Sequence, residues 1–207
     1  LAGMRPINNI VDATKHANLE LGEPLHAFDY DVLKKRAAGK QVKIITRAAR
    51  KGEKLTTLDE VERTLDEGTI LVCDEAGILS IAGVMGGLAS EVTESTRNIL
   101  LEGASWNMIN IRRTAKAQNL PSEASYRFTR GVHPSMAETG VRRGLELMTR
   151  WADGKVDPLL VDAYPLPPTE SEVEITPRDV KRWLGLDLSA ARIAELAAGR
   201  DSTLEVG

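Results

Sequence analysis

Cysteine is almost missing from this chain: Cys73 is the only one. An internal disulfide is therefore excluded, and a reducing compartment, with cytoplasm as the default, is expected. No apolar run approaches the roughly 18 residues of a membrane span, and no basic-then-apolar leader follows Leu1, so neither a membrane anchor nor a signal peptide is expected. The first residue is not Met, as in a piece of a longer protein. Charge of one sign is not in excess either. A formal net charge of −3 gives no global attraction to phosphates, so any nucleic-acid contact has to come from local basic clusters. His16, His26 and His133 show no His-x-x-x-His or Cys-x-x-Cys spacing, which argues against a zinc site built from local ligands. Phosphate-loop, G-x-G-x-x-G and nucleophile-elbow patterns are absent. Cys73 sits inside the apolar stretch TILVCD, the setting of an inert core thiol, so covalent catalysis is not expected.

With 207 residues and a hydrophobic fraction of 42%, the chain can bury a full core as one large domain plus a small extra piece. Asn8 or Asn9 can cap a helix through Leu21, with Gly22 as its stop. The stretch EPLHAFD reads as a loop. Lys40 to Ala48 alternates as a strand, Leu55 to Leu65 reads as a hairpin turning at Asp59 and Glu60, and Thr69 to Cys73 and Ile78 to Ala82 are two more strands. Helices dominate later: one capped by Asn107 and ended by Asn119 and Pro121, one starting at Ser122 and stopping at Gly131, and a long amphipathic one opened by Pro134 and closed by Gly154. Val156 to Tyr164 can return as a strand. Prolines among polar residues then mark a linker, followed by a short strand to Ile175 and two helices, one opened by Thr176 and Pro177, the other capped by Ser189. The expected class is α+β, with mixed or antiparallel sheets packed with helices and a short helical C-terminal extension. The expected boundaries are a domain over 1–164, a linker over 165–171 and an incomplete domain over 172–207.

One stretch asks for a function. In IAGVMGGLASEVTESTRNILLEGASW, an apolar run ends in tandem glycines, which mark a turn or a close approach to backbone. The following strand, Asn98 to Ala104, places Ile99, Leu101 and Gly103 on one face and Leu100, Glu102 and Ala104 on the other. Pattern alone leaves two readings of Glu102 open: a strand-end carboxylate reaching solvent, or a buried carboxylate facing a ligand.

The segments GMRPINNIVDAT, LELGEPLHAFD, IAGVMGG, EVTESTRNILLEGA and SEASYRFTRGV, in that order from Gly3 to Val132, resemble the central editing domain of the beta subunit of bacterial phenylalanyl-tRNA synthetases. TPRDVKRWLGLDLSAARIAEL is similar to the start of the next domain of that subunit. The resemblance implies an enzyme that works as an α2β2 tetramer with an alpha subunit carrying amino-acid activation, using ATP and Mg there and no cofactor here. It also implies contact with the acceptor end of tRNA(Phe) and hydrolysis of mischarged Tyr-tRNA(Phe). A pocket shaped for phenylalanine rejects an isostere with one added hydroxyl poorly, so a second site that wants the hydroxyl is needed. On this resemblance Glu102 accepts a hydrogen bond from the tyrosine phenol and His26 positions or polarises water at the ester. Ala82, Gly83, Gly86 and Ala104 leave room for the ring, and Arg5 and Thr14 line the polar side.

Several positions depart from the family pattern. Lys15 and His16 stand where Asn-Tyr is usual, Glu60 replaces the glycine of an Asp-Gly turn, and Thr129 and His133 replace acidic residues. The cation at Lys15 puts the polar edge of the site in question. It supports an alternative, a non-catalytic RNA-contacting or scaffolding domain of the same subunit. There Arg112, Arg113, Lys116, Arg127 and Arg130 track phosphates, or simply form solvated helix faces.

Overall fold

The computed structural model describes residues 3–167 and 173–198. Contacts divide the chain into two units, residues 1–161 and 162–207. The first begins with α1 (Asn9–Leu21), where the Asn8 side chain accepts from Val11 N–H and Gly22 closes the helix in the left-handed conformation. Both caps are local signals that need nothing from the rest of the fold. β1 (Leu25–Asp29) follows at once, and Asp29 then caps the short α2 (Tyr30–Arg36). The sequence reading made this stretch a loop and left α2 out. β1 exists because a strand from far along the chain, β8 (Ile99–Gly103), pairs with it antiparallel, His26 facing Glu102 and Phe28 facing Leu100.

Between them lies a four-stranded antiparallel sheet in the order β2 (Ile45–Ala48), β5 (Ile70–Asp74), β6 (Gly77–Ile81) and β7 (Met85–Gly86), with a separate hairpin of β3 (Lys54–Thr56) and β4 (Glu62–Thr64). Every strand pair is antiparallel. The strand expected from Lys40 starts only at Ile45, because only Ile45 to Ala48 find partners, on β5. Val72 faces Ser80 while Cys73 faces Ile78, so Leu79 is the extra residue of a β-bulge. The bulge turns Leu79 into one core, with Phe28, Leu33, Val72 and Ala82, while Leu71, Cys73 and Ile81 enter another.

That second core is closed by α3 (Met108–Ala117) and α4 (Glu123–Phe128), through Ile111 and Phe128. A third core joins Ala13 and Ala17 of α1 to Leu147 and Met148 of α5 (Met136–Ala152), over Leu25, Ile99 and Leu101. The β1–β8 ribbon is therefore covered on both faces, by α1 and α5 on one side and by the four-stranded sheet on the other. α5 sits close because its small residues permit it: a Cβ on Gly144 would lie 2.7 Å from Leu25 Cδ1, and one on Gly103 of β8 2.7 Å from the Ala137 carbonyl oxygen. This helix begins two residues later than Pro134 suggests, after a turn in which Met136 N–H bonds His133 C=O.

Glu60 takes the left-handed conformation at the tip of the β3–β4 hairpin, φ +63°. Its N–H bonds Thr57 C=O, while Thr57 N–H bonds Val61 C=O, the three-residue loop that normally places glycine there. Buried Thr57 donates to Asp59, and Arg63 clamps both, so side chains hold the turn that a glycine would hold alone. The other four departures also find structural roles. Thr129 ends α4, with its carbonyl accepting from Arg112, and His133 bonds Ser135 ahead of α5. His16 packs edge-on against Trp151, and Lys15 donates to the Arg5 carbonyl at 2.6 Å.

In the second unit, α6 (Pro177–Leu184) carries a capping box between Thr176 and Asp179, and α7 (Ala190–Ala198) follows, as the capping signals indicate. Val156 to Tyr164 forms no strand, and neither do residues 173–175. Their apolar residues find no strand to pair with among the described residues, and Pro158 removes a donor. Glu172 and part of the expected linker lie outside the described residues. Among the described residues no helix is long and apolar enough to cross a membrane.

Candidate functional site

The register of β1 and β8 decides the site. As directly opposed residues, His26 and Glu102 project to the same face of the ribbon, the one that carries Phe28 and Leu100 towards the four-stranded sheet. The imidazole stands edge-on to Phe28, ring centroids 4.4 Å apart. β7 brings Gly86 down onto it: a Cβ at that position would lie 2.5 Å from His26 Cε1 and 2.9 Å from Leu58 Cδ1. Only a residue without a side chain lets the β7 backbone touch the ring.

Both polar tips are sequestered. His26 Nε2 and Glu102 Oε2 are buried and have no hydrogen-bond partner. Desolvation pushes the Glu102 carboxyl up to about 7 and the His26 imidazole down to about 4. Both residues are half-buried as a whole, and it is Nε2 of the one and Oε2 of the other that are closed off. Neutral imidazole beside an unsatisfied carboxyl is costly to bury, and it is the arrangement in which an incoming hydroxyl gains most. Among the described residues Glu102 has no ion-pair partner, and one of its carboxyl oxygens is closed off from solvent.

The remaining sequence candidates separate into two groups. Ala104 follows Glu102 on the same alternation, and Ala82 packs with Phe28, next to the His26 ring. Gly83 instead turns away: at φ +64° its hypothetical Cβ meets Trp106, Ile111 and Phe128, so it permits close packing of α3 and α4. Thr14 is buried on α1 and donates to Val11 C=O. Arg5 is exposed and is tied by its own carbonyl to Lys15, which also approaches Asp12 at 3.4 Å. Lys15 therefore holds the segment before α1 in place. Two surface recesses, one beside Asp29, Asp31 and Glu91 and one beside Arg36, Arg47 and Glu53, are lined by neither His26 nor Glu102.

Sequence reasoning overlooked Glu23. It is 0% exposed, neither carboxyl oxygen has a well-formed hydrogen bond, and burial raises it to about 7, opposed by the Ala104 backbone N–H. Its stem fills the space left by Gly140 of α5, where a Cβ would lie 2.4 Å from Glu23 Cγ. An acidic residue wedged between the helix stop Gly22 and Pro24 was the available signal. Cys73 is buried with its thiol pushed up by desolvation, as befits a core residue. No group of three or more His, Cys, Asp or Glu among the described residues is arranged to hold a metal ion.

Comparison with known proteins places this geometry. The B3/4 domain family matches residues 1–153. The phenylalanine–tRNA ligase beta subunit of Moorella thermoacetica is 46% identical over 195 residues, 94% of this chain and 24% of that protein. Those of Dehalococcoides mccartyi and Symbiobacterium thermophilum are 45% and 44% identical over 89% and 94% of this chain, and 22% and 21% of their own lengths. The chain thus spans less than a quarter of the relatives it matches. A family match over residues 1–153, nearly all of the first unit, on a fold whose β1–β8 ribbon sets His26 against Glu102, establishes that the chain belongs to the B3/4 domain family, in the form carried by phenylalanine–tRNA ligase beta subunits.

Proposed function

We propose that this domain hydrolyses the ester of tyrosine mischarged onto tRNA(Phe), within a phenylalanine–tRNA ligase that attaches phenylalanine to the same tRNA. The carrying observation is the opposed pair His26 and Glu102 on one face of the β1–β8 ribbon, each with a buried polar atom, Nε2 and Oε2, that has no hydrogen-bond partner. In this reading the tyrosine phenol donates to Glu102, and phenylalanine leaves that carboxyl unsatisfied, a penalty of about 1–3 kcal/mol. Gly86, Ala82 and Ala104 leave the ring its space, and Gly83, Thr14 and Arg5 contribute by fixing the surrounding backbone or by reaching the terminal adenosine. His26 accepts a hydrogen bond from a water, which adds to the ester carbonyl. Collapse of the tetrahedral intermediate breaks the acyl–oxygen bond, and the ribose oxygen leaves with a proton. No metal or cofactor takes part in this step. ATP and Mg serve activation on the alpha subunit of an α2β2 enzyme in the cytoplasm.

The test is deacylation by the whole ligase of Tyr-tRNA(Phe) and Phe-tRNA(Phe) prepared separately. Hydrolysis of the tyrosyl ester with the phenylalanyl ester spared is expected. Equal hydrolysis of both, or of neither, would remove the case for a phenol-reading carboxyl and leave a scaffold.

A further inference from the structure

We propose that the outer face of α3 and α4, away from the His26–Glu102 ribbon, is a docking site for single-stranded RNA, with an unstacked base lying on the open face of Tyr126. Tyr126 is 57% exposed on a short helix whose buried residues are Ser125 and Phe128, so nothing in the packing of α4 calls for an aromatic ring there. The Arg130 guanidinium lies 3.6 Å from the ring centroid and is held in place by a 2.6 Å hydrogen bond to the Tyr126 carbonyl. One face of the phenol ring is thereby covered by a cation and stiffened. With more than half of the residue exposed, the ring has surface left to take a second planar group, the arrangement on which nucleobases stack without sequence preference.

The exposed charges of α3 and of the turn after α4 are basic. Arg112 reaches across from α3 to the Thr129 carbonyl at 2.9 Å, which brings a second guanidinium to the end of α4 beside Arg130. Lys116 follows Arg112 by one helical turn, and Arg113 lies next to it; both are exposed. Among the described residues none of Arg112, Arg113, Lys116 and Arg130 is paired with a carboxylate, whereas Arg127 is, with Glu123. Four exposed cations without a carboxylate partner, three on α3 and one just past α4, complement a polyanion on a chain with net charge −3, and the ring beside Arg130 selects a polyanion with planar bases over an acidic peptide. The choice of RNA rather than DNA rests on the proposed reading; the surface itself does not.

The full 207-residue chain is titrated with an uncharged RNA hairpin ending in unpaired nucleotides, one of them 2-aminopurine. Quenching of the probe on binding is expected. Tyr126→Leu should weaken binding by about tenfold and abolish the quench while Tyr126→Phe retains both. Arg113→Gln with Lys116→Gln should reduce the salt dependence by roughly one to two phosphates. Binding of Tyr126→Leu equal to that of the parent overturns the proposal. So does equally tight binding of a blunt duplex, or competition by polyglutamate as strong as that by RNA, which would mark a protein-binding surface. Because the RNA carries no amino acid, failure of ester hydrolysis at Glu102 and His26 leaves this outcome untouched.

Discussion

At the scale of single residues, the chemistry turns on what desolvation does to two side chains. An imidazole lowered to about 4 is neutral throughout the physiological range, so it is always able to accept a hydrogen bond but is a weak base. His26→Ala is therefore expected to slow single-turnover deacylation by about tenfold, below the roughly 10²-fold or more of a strong general base. A loss of many thousandfold would show that bound substrate restores the basicity of the ring. Glu102→Ala removes both the partner of the phenol and the group that penalises phenylalanine, so the two esters should be hydrolysed at converging rates. Retained discrimination would place the phenol elsewhere. Glu60 supplies a test without function. Its left-handed backbone costs an L-residue about 1–2 kcal/mol, and Glu60→Gly should raise stability by about 0.5–1 kcal/mol in a denaturant melt, once the greater freedom of unfolded glycine is offset. A decrease would mean that the Thr57–Asp59–Arg63 clamp depends on the glutamate itself.

Between elements, the closeness of α5 to the ribbon is the feature with a measurable consequence. Gly140 admits Glu23, a carboxyl raised to about 7 by burial, as Glu102 is on the opposite face. Between the ordinary carboxylate range and 7 the folded state holds protons that the unfolded chain has released. The stability these two groups contribute is thus complete at low pH and lost as pH rises through about 7. His26 has the opposite sign: its contribution is present above its ordinary value of 6.5 and lost as pH falls through about 4. Glu23→Gln removes one of the two falling contributions without changing the shape of the side chain. Melting points measured from pH 5 to pH 8 should show the variant gaining on the parent as pH rises, by up to about 3 kcal/mol. Parallel curves would show that Glu23 is ionised throughout. A register slip of one residue between β1 and β8 would turn Glu102 into the α5 side and Gly103 out of it, so the contact of Gly103 with Ala137 also guards the site.

Among the described residues, the three hydrophobic cores lie within the first unit, while α6 and α7 bury no residue completely. Trp183, Leu184 and Leu196 on these helices remain exposed, and Val180 and Ile193 are only half-buried. We therefore expect a chain cut after Tyr164 to melt at the same midpoint as the parent, with the same near-ultraviolet dichroism. A drop of many degrees would show that the second unit lends stability to the first and would move the proposed boundary at residues 165–171.

What the residue order determined by itself was local. Asn8 and Gly22, Asn107, Ser122, and Thr176 with Pro177 start or stop helices through hydrogen bonds and backbone preferences confined to a few neighbours. These helices, the hairpin strands over 70–81 and the face on which Glu102 lies could accordingly be read along the chain. Glu102 and His26 were legible as a pair only through resemblance to a family. β1 was hidden because LHAFD becomes a strand only when a partner arrives from residues 99–103, and pairing at that distance depends on closure of the whole intervening chain. The same closure decided that Gly86 touches the imidazole while Gly83, three residues earlier, serves α3 and α4, a division invisible in the run GVMGG. It also decided that Glu23, Glu102 and His26 titrate far from their ordinary ranges, because desolvation is a property of what surrounds a group in space, and the chain order names only its covalent neighbours.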